Sequence, residues 1–222
     1  MQTQTRSPIR NLIHLHCSAP YPQFTYAYNP APGPIRDSIC RVIRRLADLW
    51  DASPLGFWLV VLACAYFLVM AVRLTIIDVR SHLLPNRIVF PSYAVGGVLL
   101  LGAAVLVFVG GAGAALDASL FGIPGLGVLA GGGVLWLFYF LLRLVYPPGM
   151  GFGDVKLAGV LGLYLGYLGW AHVFAGTFAA FLLGGLWSLV ILVSRRGTLG
   201  SAIPFGPFML AGALVSMVLL PA

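Results

Sequence analysis

Two aspartates mark the places in this 222-residue chain where chemistry is easiest to envisage. Asp78 and Asp154 are, with Asp117, the only acidic side chains after residue 51, a region without any Glu. Both border long apolar stretches, where a carboxylate is costly and is by default a functional candidate. If the two approach closely, they cannot both ionise easily, so one stays protonated while the other acts as a base on water. The pair therefore favours acid–base hydrolysis.

The elements that must position these aspartates are membrane helices. Apolar residues make up 60% of the sequence, charged residues 9%, and the mean hydropathy is +0.96, which is typical of a membrane protein. Six apolar stretches, compared with the roughly 20 residues that cross a bilayer as a helix, predict an all-α bundle of about six transmembrane helices. These stretches are residues 55–77, 88–110, 125–146, 155–169, 172–193 and 202–220. Because the fourth is short, we expect Asp154 to lie inside the protein near the membrane boundary.

The distribution of cations predicts which side the aspartates face. Seven Lys and Arg residues lie in or close to the first, third and fifth breaks between the stretches, whereas the second and fourth breaks have none. The positive-inside rule then places Asp78 and Asp154 on the cytoplasmic side. Four arginines in residues 36–45 argue weakly for the opposite orientation. Since the net charge of +7 comes from cations that flank membrane helices, we do not expect a nucleic-acid partner.

Residues 1–54 differ in composition from the rest. The first 34 are rich in Pro, Tyr, Thr and Gln, which predicts a disordered tail. Residues 37–50 place apolar side chains at helical spacing beside three arginines, a pattern typical of an amphipathic helix on the membrane surface. A poorly ordered basic linker is the alternative. Residues 55–222 are expected to form the transmembrane domain.

The sequence Gly-Phe-Gly-Asp at 151–154 admits two interpretations. Glycines on either side of one residue permit positive φ and let another chain approach the backbone. The start of a helix favours an ionised Asp154, whereas burial raises the pKa of an aspartate, so the two effects together suit proton exchange near neutral pH. Alternatively, Asp154 is a simple helix N-cap beside a turn. Other glycines predict close helix packing; they are Gly162, Gly166, Gly184, Gly185 and those at 131–133.

Three motifs in order resemble those of the type IV prepilin peptidases, intramembrane aspartic proteases with a GxGD signature. The first is Asp78 followed by Leu-Leu-Pro-Asn at 83–86, the second is residues 151–157, and the third is Ile-Pro-Phe-Gly-Pro-Phe at 203–208. The resemblance implies that Asp78 and Asp154 form the catalytic pair. It further implies a multi-pass protein of the bacterial inner membrane that cleaves the basic leader from prepilins or pseudopilins at the cytoplasmic face.

The resemblance also implies contacts with the substrate backbone. The candidate substrate-binding residues are Gly151, Gly153, Lys156, Pro204, Phe205, Gly206 and Pro207. Lys156 has two other roles open to it, tuning the pKa of Asp154 or anchoring its helix, and the proline segment has the alternative role of a helix cap.

No metal or cofactor is expected. His82 lies four residues after Asp78, but no second ligand pair accompanies it, and His172 is expected at the far surface. Longer family members carry paired C-x-x-C motifs and also N-methylate the new terminus. With no C-x-x-C among Cys17, Cys40 and Cys64, a peptidase-only form is expected.

Two other functional classes stay open, a small ion- or proton-coupled transporter and a non-catalytic scaffold of a pilus or secretion apparatus. The sequence does not indicate which pilin is cut or the oligomeric state.

Overall fold

The computed structural model describes residues 47–51, 53–81, 86–112, 123, 125–147, 150–194 and 205–220. These residues form a bundle of α-helices, which confirms the predicted all-α membrane fold. The six helices, in chain order, are α1 (Pro54–Ser81), α2 (Asn86–Val107), α3 (Leu126–Val145), α4 (Phe152–Leu168), α5 (Trp170–Val193) and α6 (Gly206–Leu219). A π-helical segment, Phe108–Ala112, continues α2.

Each of the six predicted apolar stretches overlaps one of these helices, but not all six helices are long enough to be assigned as membrane spans. Helices α1, α2, α3 and α5 are long and apolar enough to cross a membrane, whereas α6 is a shorter apolar helix and α4 has 17 residues. The expected count of six transmembrane helices is therefore not established. Large apolar side chains of α1 and α5, such as Trp58, Phe174 and Leu182, point outward, as lipid-facing positions do.

Helix α4 lies at the centre of the bundle. It packs against α2, α3, α5 and α6, and nearly every residue from Asp154 to Tyr167 is buried. A helix that is apolar all round is stable only when it is surrounded in this way. Helix α1 packs mainly against α2 and α6, and it also contacts α4, where the Tyr164 hydroxyl donates to the Ala63 carbonyl oxygen and the Tyr164 ring packs against Phe67.

Glycines bring α3 and α4 together backbone to backbone. A Cβ added to Gly131 would lie 2.5 Å from the Gly162 carbonyl oxygen and 2.7 Å from the Gly166 Cα, and one added to Gly162 would meet Gly131 and Gly132. The predicted close packing through these glycines is confirmed. Gly133 and Gly185, in contrast, have open space where a Cβ would lie.

Helices α4 and α5 are separated by one residue. Gly169 has φ 115° and ψ 168°, a region that side-chain-bearing residues rarely adopt. Its N–H donates to the Leu165 carbonyl and closes α4, while its own carbonyl accepts from His172 at the start of α5. This joint fixes the end of α4 opposite to Asp154.

The predicted surface helix at 37–50 lies mostly outside the described residues. Residues 47–51 are helical, with Ala47 and Leu49 buried. Trp50 makes an edge-to-face contact with Phe57 of α1, with ring centroids 5.4 Å apart. The last turn before α1 therefore packs on α1. The predicted tail falls outside the described residues.

Candidate active site

Asp78 lies near the C-terminal end of α1, one turn before the helix ends at Ser81. It is only 4% exposed, although its neighbours Val79 and Arg80 are exposed. The helix turns its one acidic side chain toward the protein rather than toward the surroundings. A charged residue that only marks the end of a membrane helix would be expected to remain exposed. The burial of Asp78 therefore favours a functional role for this carboxylate.

Asp154 occupies the first turn of α4 and is 7% exposed. The predicted burial of this residue near the helix start is confirmed. The N-cap position belongs to Gly151, and no side chain caps the helix. Asp154 is therefore not the N-cap that the alternative interpretation required.

The two aspartates are close enough to interact electrostatically. Asp154 begins α4 outside the four candidate spans, and its pKa is raised to about 7, first by burial and then by the negative charge of Asp78. A backbone hydrogen bond with Gly151 and the charge of Arg143 oppose this rise. Asp154 therefore keeps its proton up to about neutral pH.

The glycines of the motif do not use positive φ. Gly151 has φ −67° and ψ 148°, an extended conformation open to any residue, and Gly153 lies in the first turn of α4. The positive φ that glycine permits is therefore not adopted at either position. A Cβ at Gly151 would contact Asp154 Oδ2 at 3.4 Å, so the absent side chain leaves the carboxylate approachable from this side.

Two cations flank the aromatic residue of the motif. The Arg143 Cζ lies 5.1 Å from the centroid of the Phe152 ring, and Lys156 Nζ lies 4.9 Å from it. Lys156 also lies 4.9 Å from the Phe90 ring centroid and donates to Asn86 Oδ1 at 2.9 Å. The first and second motifs are thus joined by a direct hydrogen bond, which the sequence did not predict.

The third motif is described from Phe205 onward, and Pro204 lies outside the described residues. Phe205 begins α6, where its carbonyl accepts from Phe208 and Met209. Its ring packs against Phe181 and Tyr139, with centroids 5.4 and 6.3 Å away. Gly206 is buried, and Pro207 occupies the first turn. These contacts agree with the helix-cap interpretation, and a substrate contact by this segment stays a prediction.

The sequence analysis did not identify Tyr139 and Arg143 as residues near the site, and it predicted the wrong exposure for His172. Tyr139 of α3 is 2% exposed and is electrostatically coupled to Asp154, and Arg143 lies one turn further along α3. The available signal was Arg143 itself, the one charged residue in the apolar stretch 125–146. His172, expected at the far surface, is 1% exposed because it packs inside the start of α5.

Comparison with known proteins supports the same identification. The sequence model described as the type IV leader peptidase family matches residues 62–189, which is more than half of the chain and includes both aspartates. No solved structure matches the chain significantly.

The chain is 30% identical over 148 residues to a prepilin leader peptidase/N-methyltransferase of Aeromonas salmonicida strain A449, covering 66% of this chain and 45% of that protein. It is 32% identical over 146 residues to proteins of the same name from Stutzerimonas stutzeri and Pseudomonas aeruginosa, covering 65% of this chain and 45% of each. The chain thus spans less than half the length of these curated relatives. On the family match and the aspartate motifs within it, the chain belongs to the type IV leader peptidase family.

Proposed function

We propose that this protein is a membrane aspartic endopeptidase that removes the basic leader from prepilins or pseudopilins. The observation that carries the proposal is the buried pair of carboxylates, Asp78 on α1 and Asp154 on α4, which interact electrostatically. The names of the relatives, prepilin leader peptidases, support the substrate class. We expect the protein to lie in a lipid bilayer. From the distribution of Lys and Arg, we expect the aspartate pair to lie at the cytoplasmic face.

In this mechanism the two aspartates have different roles. Ionised Asp78 removes a proton from a water molecule, whose oxygen attacks the carbonyl carbon of the scissile peptide. Protonated Asp154 gives its proton to the carbonyl oxygen, so a neutral tetrahedral diol forms. The diol collapses when Asp78 gives the proton that it took from water to the leaving nitrogen, the C–N bond breaks, and Asp154 takes a proton from one diol hydroxyl, whose oxygen becomes the new carbonyl oxygen. The pair then regains the charge state in which it began.

The substrate is expected to approach Asp154 beside Gly151 and Gly153, since a side chain at Gly151 would begin 3.4 Å from Asp154 Oδ2. An extended peptide needs that space because its own backbone must pass within contact distance of both carboxylates. Lys156 and the segment from Pro204 to Pro207 remain candidate substrate contacts in this proposal.

The test is leader removal from a co-expressed prepilin, followed by the mass of its N-terminus. Asp78→Asn and Asp154→Asn are each expected to abolish cleavage because each removes one partner in the proton transfers. Asp51→Asn is the matched control, since Asp51 is an exposed aspartate far along the chain from both motifs. Cleavage retained in either Asp78→Asn or Asp154→Asn, with normal membrane insertion, would reject the aspartic mechanism.

A further inference from the structure

Arg143 contacts the segment that leads into the Asp154 helix from both sides of Gly151. Its Nη1 donates a hydrogen bond to the Met150 carbonyl oxygen at 3.0 Å. The guanidinium also lies over the Phe152 ring, 5.1 Å from the centroid, a geometry in which a cation is attracted to the ring face. A single side chain at the end of α3 thus determines the position of the residues on either side of Gly151.

Arg143 also acts on Asp154 through its charge. It is the positive side chain that opposes the rise in the pKa of Asp154 caused by burial and by Asp78. The other ionisable side chains at this end of the described helices are Asp78 and Arg80 of α1, Arg87 and Tyr93 of α2, Tyr139 and Tyr146 at the end of α3, and Lys156 of α4. The described parts of α5 and α6 add none at this end.

Lys156 does not duplicate this role. It lies against the same Phe152 ring, at 4.9 Å, yet its Nζ donates to Asn86 at the start of α2. Lys156 therefore connects α4 to α2, whereas Arg143 connects α3 to the turn that precedes α4. The planar guanidinium of Arg143 suits this connection because it can stack on the Phe152 ring and donate a hydrogen bond to the Met150 carbonyl at the same time.

We propose that Arg143 is a positioning residue for the aspartate pair. Through Met150 and Phe152 it fixes the turn that presents Asp154, and its positive charge counterbalances the Asp154 carboxylate when that group ionises. The inference rests on the proposed function for its catalytic meaning, and it extends the site beyond the two aspartate motifs to the end of α3.

A spectroscopic titration tests the electrostatic half of this inference without any substrate. The infrared carboxyl stretch of protonated Asp154, assigned by its loss in Asp154→Asn, is followed against pH in purified protein. Arg143→Gln is expected to raise the titration midpoint by about half a pH unit or more, because a neighbouring cation no longer favours the ionised form. Arg87→Gln, which removes an exposed arginine of α2, is expected to leave the midpoint in place. An unshifted midpoint in folded Arg143→Gln overturns the inference.

Cleavage kinetics test the positional half. Arg143→Lys keeps the positive charge but loses the planar guanidinium, which stacks on the Phe152 ring while it donates to the Met150 carbonyl. We therefore expect kcat to fall at least several-fold. The midpoint of the Asp154 titration is expected to stay near that of the wild type. Arg143→Gln is expected to lose kcat and to shift the midpoint. Equal losses of kcat in both variants without any shift indicate a merely structural residue and overturn the inference.

The two proposals fail separately. If the wild type cleaves no prepilin but Arg143→Gln shifts the Asp154 midpoint, the proposed function fails and the electrostatic role of Arg143 stands. If cleavage depends on both aspartates but Arg143→Gln titrates like the wild type, the function stands and the role of Arg143 is rejected. Thermal melting of Arg143→Lys and Arg143→Gln checks that both variants fold.

Discussion

At the residue scale, the proposed proton transfers depend on the surroundings of Asp154, which raise its pKa. Asp154 begins a buried helix, and both burial and the charge of Asp78 raise its pKa to about 7. Asp78 is buried as well, and its charge is the second cause of the raised pKa. Asp154 therefore keeps a proton up to about neutral pH, which is the state that the proposed general acid requires.

This state predicts how cleavage depends on pH. As the pH rises through about 7, Asp154 loses its proton, and the pair can no longer protonate the substrate carbonyl. We expect kcat/KM to fall above this pH with the slope of a single ionisation. Leader cleavage in detergent, measured from pH 5 to pH 9 with a fixed prepilin, checks the prediction. A rate that keeps rising to pH 9 would contradict it.

Burial of Asp154 also predicts a cost in stability. Its pKa rises from 3.8 to about 7 in the folded protein, so between these values the fold retains a proton that the unfolded chain releases. Folding is therefore penalised progressively from about pH 4, and the penalty is complete above about pH 7. Asp154→Asn removes the penalty, and we expect a higher melting temperature than the wild type at pH 8, with a much smaller difference at pH 5. An equal difference at both pH values would argue against it.

The sequence revealed residues of the site only where they lie in recognisable motifs. Asp78 and Asp154 stand out because acids are rare beside apolar stretches. Tyr139 and Arg143 come from a different helix and reach the site only through the packing of α3 on α4, a tertiary relation that no local spacing encodes.

At the element scale, the contact between α3 and α4 is made by backbone atoms. Because both partners are backbone, neither a rotamer change nor a small side-chain shift relieves an added methyl group. The helix positions were predictable because a bilayer demands long apolar stretches. The short fourth stretch predicted that Asp154 lies inside the protein. It did not predict that α4 is the central helix, because the sequence does not indicate which helices surround it.

Substitution of a glycine at this contact is the corresponding prediction. Gly162→Ala is expected to destabilise the protein by about 1–3 kcal/mol, as overpacking does, because its Cβ would meet Gly131 and lie 2.7 Å from the Gly132 Cα. Gly133→Ala, with open space around its Cβ, is expected to be neutral or slightly stabilising. Thermal melting of both variants in detergent compares them, and equal melting temperatures would contradict the packing argument.

The hydrogen bond between Lys156 and Asn86 joins α4 to the start of α2. It lies at an exposed position, so its net contribution is expected to be small. A double-mutant cycle with Lys156→Met and Asn86→Ala is expected to give a coupling energy of about 0.5–1 kcal/mol in the free energy of unfolding. If the same cycle shows no coupling and Lys156→Met raises KM for the prepilin, the side chain acts on the substrate instead.

At the scale of the whole molecule, the orientation in the membrane decides which compartment supplies the substrate. The positive-inside rule predicts that the ends of α3 and α1, with the aspartates, face the cytoplasm. In a variant with its three cysteines replaced by serine, Val145→Cys, at an 83% exposed position, should react with an impermeant maleimide only in inside-out vesicles. Ala171→Cys, exposed at the start of α5, should show the opposite. Labelling of Val145→Cys in right-side-out vesicles would reverse the assignment.

The glycine contact between α3 and α4 has a consequence for how the carboxylates come together. Helix α4 is held by backbone contact along α3 and joined to α5 through the single residue Gly169, so Asp154 has a fixed place in the bundle. Asp78 belongs to α1, whose more extensive helix contacts in the described residues are with α2 and α6, while its contact with α4 is made through Tyr164. Since α4 is held more closely by α3 than by α1, we expect a change in the separation of the two carboxylates to come from displacement of α1. In the proposed mechanism, admission of a substrate and assembly of the aspartate pair then depend on the same helix.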